Sequence, residues 1–169
     1  MKHPNGFSLL ELLVVIAILG LLAGAALAQP GRDRERLQLT AALRRVQVGL
    51  DRGRMAAERS GQPCGLRLTA QGWQPSSGEG LPPCPAAATS LQELDHASLQ
   101  LHSNLPPTVR FTANGLVLDG GLVVLSHRRL SRRRCLVIGL PLGITRTGHY
   151  AADPHASLSS RHCTPDEIA

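Results

Sequence analysis

MKHPNGFSLLELLVVIAILGLLAGAALAQP, residues 1–30, decides how the rest of the chain is read. From Phe7 to Ala28 there are 22 residues with a single charge, Glu11. As a helix this run is about 33 Å long, enough for a bilayer core of about 30 Å. A carboxylate near the middle of a membrane costs roughly 2.5–3.5 kcal/mol on insertion scales, so an acid kept there needs a partner. A secretory signal cut after Ala26-Leu27-Ala28 accounts for Lys2 and the small residues, but its apolar stretch would be long and would carry an acid. A plain signal anchor leaves Glu11 unexplained.

The stretch GFSLLE offers a third reading. A short basic leader, Gly6 followed by Phe7, Glu11 as the fifth residue from Phe7 and an apolar helix behind it together resemble the N-terminus of type IV pilins and type II secretion pseudopilins. The resemblance implies a prepilin peptidase that cuts the Gly6–Phe7 bond on the cytoplasmic side and N-methylates Phe7. It also gives Glu11 its partner: the new amine of Phe7 on a neighbouring subunit. Two charges that are costly alone become tolerable as a pair outside water, which rewards stacking of the rods and fixes their register. Arginines Arg32, Arg34, Arg36, Arg44 and Arg45 against Lys2 favour the opposite topology by the positive-inside rule. The signature and the cysteines outweigh that count and put the head in the periplasm, with an inner-membrane anchor and lipid around it.

The 169 residues suffice for one domain beside a membrane segment. Net charge is +6, and 17 of the 18 basic residues are arginine. Residues 32–59 carry a net +4, whereas 61–169 carry only +2, concentrated in HRRLSRRRC, 127–135. Cys64, Cys84, Cys135 and Cys163 form no CxxC pair, which argues against zinc and for two disulfides in an oxidising compartment. Of the three possible connectivities, Cys64–Cys84 with Cys135–Cys163 joins neighbours in sequence and is preferred; four reduced thiols are the alternative.

Beyond the apolar run, Gln29-Pro30-Gly31 predicts a kink. Leu39, Leu43, Val46, Leu50, Gly53 and Ala57 then recur at steps of four and three, one face of an amphipathic stem helix that Ser60-Gly61-Gln62-Pro63 stops. Past Pro63 the period becomes two. CGLRLTA (64–70), ASLQLH (97–102), TVRFTA (108–113), NGLVLDGGLVVLSH (114–127), RCLVIGL (134–140) and GITRTGHY (143–150) read as strands between turns. Segment 74–90 reads as a long loop tethered by Cys84, and 151–169 as a loose tail pinned by Cys163. The expected fold is α+β, a long transmembrane-plus-stem helix packed on a mostly antiparallel two-sheet head. Its parts are a leader 1–6, an assembly helix 7–28, a stem 29–60, a head 61–150 and the tail.

The order of TVRFTANGLVLDGGLVVLSHRR and RCLVIGLPLGITRTG, with Phe111 and Gly115 in an F-x-x-x-G pattern, also resembles the C-terminal half of the GspH/FimT family of minor pseudopilins and pilins. That resemblance implies a filament subunit working with other pilin or pseudopilin subunits. There is no G-x-S-x-G, HExxH or P-loop, and the histidines are scattered, so no enzyme, metal or cofactor is expected. The cluster Arg128, Arg129, Arg132, Arg133 and Arg134 suits phosphate backbones, with a solvated turn as the bland alternative. Some FimT-like minor pilins bind DNA through a Gly-Arg-x-Arg segment. The matching stretch here, Gly143-Ile144-Thr145-Arg146, keeps Arg146 but replaces the first arginine with Ile144. DNA is therefore an alternative partner, and a plain secreted domain released after Ala28 a third reading.

Overall fold

The computed structural model describes residues 8–27, 30–76, 80–91 and 98–166. The chain divides into two compact units, Met1–Arg34 and Glu35–Ala169. In the first, helix α1 (Leu9–Leu27) is opened by Ser8, whose hydroxyl accepts the Glu11 backbone N–H at 3.2 Å. Ser8 and Glu11 stand as the first and last letters of an S-x-x-E capping box, a helix-start device. Leucine, valine and isoleucine are exposed on every side of α1, from Leu9 at 80 % to Leu22 at 62 %. Among the described residues no helix is long and apolar enough to cross a membrane. The 19 residues of α1 rise about 28 Å, slightly short of a bilayer core. Phe7 and Ala28, which would extend the run, lie outside the described residues, as does Gln29 at the expected kink.

Helix α2 (Pro30–Ser60) starts with proline at its first position, where the missing N–H would have had no partner anyway. Gly61 ends it in the left-handed conformation, with φ at +62°. The stripe read from the sequence is the buried face: Leu39, Leu43, Val46, Leu50, Gly53 and Ala57 are all closed to solvent. Ala42, Gly49 and Ala56 join them and widen the stripe.

Two antiparallel sheets receive this face. The first comprises β1 (Cys64–Thr69), β2 (Gly72–Pro75), β3 (Thr89–Ser90) and β5 (Val109–Phe111), in the order β3-β2-β1-β5. The second comprises β4 (Leu99–Ser103), β6 (Gly121–His127), β7 (Arg134–Gly139), β8 (Ile144–Tyr150) and β9 (Cys163–Pro165), in the order β4-β6-β7-β8-β9. Val46, Leu50, Leu66, Trp73, Phe111, Val123, Leu125, Leu136 and Ile138 share one core. Alternation sends Leu122, Val124, Cys135 and Tyr150 to the other face of the second sheet, where Ala152 and Leu158 partly cover them. Gln47 Nε2 donates to Thr145 Oγ1 at 2.8 Å, and Trp73 Nε1 to the Val46 carbonyl at 2.7 Å, so α2 is tied to both sheets.

Three expectations need correction. Segment 74–90 is not one loop: β2 reaches Pro75, and Thr89 and Ser90 pair with Trp73 and Gly72. Residues 114–118 are not a strand, because Thr112 turns the chain by accepting the Gly115 and Leu116 N–H groups at 2.9 and 3.0 Å. The tail is not loose throughout. Cys163 pairs with Tyr150 and Thr164 with His149, which adds β9 to an edge that β8 would otherwise expose. Disulfides join Cys64 to Cys84 and Cys135 to Cys163, one in each sheet region.

Candidate functional sites: the N-terminal segment and the arginine turn

Of the N-terminal residues singled out in the sequence, Gly6 and Phe7 lie outside the described residues. Glu11 stands in the first turn of α1 and is exposed. The sequence reading missed Ser8, although the S-x-x-E spacing was there to signal it. A carboxylate in the first turn also suits the positive end of the helix dipole. Glu11 is thus placed on a bare apolar rod at a point where its own helix tolerates a negative charge.

The arginines 128–134 occupy the turn between β6 and β7, and the structure divides them. Arg128 and Arg132 are exposed, and their guanidinium groups make no hydrogen bond or ion pair with other described residues; the Arg128 backbone N–H donates to the Ser98 carbonyl at 2.9 Å. Arg129, 77 % exposed at its side chain, reaches Glu35 at 3.4 Å. Arg133 donates to the Ala152 carbonyl at 2.8 Å. Arg134 grips Asp166 with both terminal nitrogens, at 2.9 and 2.7 Å, while Thr147 Oγ1 donates to the same carboxylate at 3.1 Å. His149 Nε2 lies 3.5 Å from it. Two of the five, Arg133 and Arg134, thus hold the C-terminal segment onto the sheet. Asp166 carried no signal in the sequence, because its partner lies 32 residues away and meets it only when β9 pairs.

The turn does not meet the Gly143–Arg146 stretch. Arg146 faces Val137, whereas Arg134 faces His149, three residues further along β8, about 10 Å of strand. Arg146 also shares its sheet face with Tyr150, opposite to the face of Arg134. Gly143 and Ile144 belong to the other hairpin end, where Leu140, Leu142 and Ile144 are exposed at 58, 51 and 67 %.

Beside the arginine turn lies an open hollow of about 470 Å³ lined by Ser131, Arg132, Arg133, His149, Tyr150 and Ala151. A second, more apolar hollow of about 770 Å³ runs between α2 and the Pro85–Ala86 segment, bordered by Met55, Arg52 and Arg59. Asp51, also on its wall, has its carboxyl raised above the usual range by burial, partly offset by Arg54. Among the described residues no group of three His, Cys, Asp or Glu is placed to hold a metal ion.

Residues 1–27 match the family model of the prokaryotic N-terminal methylation motif. Residues 42–141 match that of type II transport protein GspH, a span that takes in most of α2, the first sheet and the β6–β7 hairpin with its arginine turn. No curated protein and no solved structure matches the chain. The methylation motif heads the chain and the GspH model covers more than half of it, so the chain belongs to the GspH family of type II transport proteins.

Proposed function

We propose that the chain is a minor pseudopilin: a structural subunit cut after Gly6, methylated at Phe7 and drawn through its N-terminal helix into a type II secretion filament. Before assembly the helix is anchored in the inner membrane and the head faces the periplasm. The observation that carries this reading is Glu11 on a helix that is apolar and exposed all round. A helix without a polar side is stable in lipid or against other such helices, not in water. In a stack of such helices Glu11 can neutralise the Phe7 amine of the next subunit. The two disulfides fit an oxidising compartment for the head. The same assembly chemistry would serve a type IV pilus; the GspH match favours secretion. DNA uptake, the alternative, has Arg128, Arg132 and Arg146 to rest on, spread over separate parts of the second sheet.

Mass spectrometry of the mature N-terminus tests processing: N-methylated Phe7 is expected, and Gln29 would instead mean a secreted domain. Glu11→Ala tests assembly. Leaving one buried charge unpaired costs roughly 3–5 kcal/mol, so incorporation should fall by at least about 100-fold while cleavage continues. Filaments containing that variant at the normal level would refute the pairing.

A further inference from the structure

We propose that the arginine turn docks on the phosphates of anionic phospholipid, at the surface of the membrane that stores the subunit. This rests on the anchoring proposed above. The turn is fixed to the start of the globular unit, because Arg129 contacts Glu35 and Leu130 packs against the core. Glu35 is the eighth residue after Leu27, the end of α1. The last five of those steps are helical, so the chain can separate the two by no more than about 18 Å. The head-group layer itself adds about 5–7 Å beyond the hydrocarbon. A tether this short lets a turn fixed beside Glu35 come up to the lipid phosphates.

The chemistry of the turn suits them. Arg128 and Arg132 are exposed and without ion pairs among the described residues, and Arg129 keeps most of its guanidinium in solvent. The hollow next to them is lined by Arg132, Ser131 and His149, and its volume of about 470 Å³ accommodates a phosphate. Arg133 and Arg134 stiffen the platform from below through Ala152 and Asp166. DNA phosphates have the same chemistry, but the exposed arginines of the second sheet are divided between its faces and offer a duplex no continuous track.

The test uses the full chain reconstituted in liposomes of phosphatidylcholine, with and without phosphatidylglycerol, and follows amide hydrogen exchange by mass spectrometry. Each arginine near an anionic surface is worth roughly five-fold in binding, so Arg128 and Arg132 together should slow exchange at Ser131–Arg133 by up to about 25-fold in the anionic liposomes. High salt shortens the screening length to about 3 Å at 1 M and should remove the effect. Arg128→Glu with Arg132→Glu should abolish it as well; both side chains are exposed, so the amides of β6 and β7 should exchange as before. Equal exchange of the turn in both lipids, with the α1 amides protected, overturns the docking and leaves the anchoring intact. Rapid exchange along α1 in both lipids overturns the anchoring and the docking together. Slowing by added duplex DNA in neutral liposomes, without any effect of anionic lipid, overturns the docking in favour of nucleic acid.

Discussion

Replacing Gly49 with alanine should destabilise the head, although alanine is the better helix former. In an exposed helix the change would gain about 0.8–1 kcal/mol. Here the new Cβ would run into Trp73 Cδ1, and would lie 2.7 Å from Trp73 Nε1 and 2.8 Å from Thr89 Oγ1. The indole has no room to move: Trp73 is 1 % exposed, and Nε1 is already donating to the Val46 carbonyl. Overpacking of this kind costs about 1–3 kcal/mol, and a buried indole N–H pushed off its acceptor costs about 1–3 kcal/mol more. The net loss is about 3 kcal/mol, or about 10 °C in the thermal midpoint for a unit of this size. Trp73 is the chain's one tryptophan, so its fluorescence during urea unfolding in detergent reports on the packed site itself. Trp73→Phe, which has no indole N–H, should relieve part of the Gly49→Ala penalty when the two are combined. An unchanged or higher midpoint for Gly49→Ala would refute the claim that this glycine sets the distance between helix and sheet.

Asp119 receives the Arg110 side chain at two oxygens, both at 2.8 Å, and the Arg110 N–H at 2.9 Å. The hydrogen bonds from the Arg110 side chain, opposed by burial and helped by its backbone N–H and charge, hold the Asp119 carboxyl below the usual range. A depressed folded value means stability that is present above the unfolded value of about 4 and is lost as pH falls through the folded one. Urea midpoints of the native chain and Asp119→Asn should therefore differ near neutral pH and converge in acid; a constant gap would refute the pairing. Replacing Cys135 and Cys163 with serine removes a bridge 28 residues apart and should cost roughly 3–4 kcal/mol by loop entropy. The tail after Tyr150 should then become a site of early protease cleavage, since only the short β8–β9 pairing and the contacts of Arg133 and Arg134 would still hold it; a tail as resistant as before would show that these non-covalent contacts suffice.

The N-terminal apolar run, the stripe of α2 and most strands of the two sheets are legible in the sequence, because each is a local periodicity. Leu39 to Ala57 needs only the helical repeat, and CGLRLT or RCLVIG only alternation. The short strands β2, β3 and β9 are not legible, since two to four residues carry no period and gain their hydrogen bonds from partners far along the chain. The arginine cluster makes the same point for the site. Its charge and its place in a turn follow from composition and spacing. Which guanidiniums stay in solvent and which bind Ala152 or Asp166 depends on β9 docking beside β8 and on the turn settling against Glu35. The sequence by itself therefore determined the rod, the sheets and the family of the chain. Only the tertiary structure decided which charges remain available to a partner, because a side chain's partner is set by distance in space.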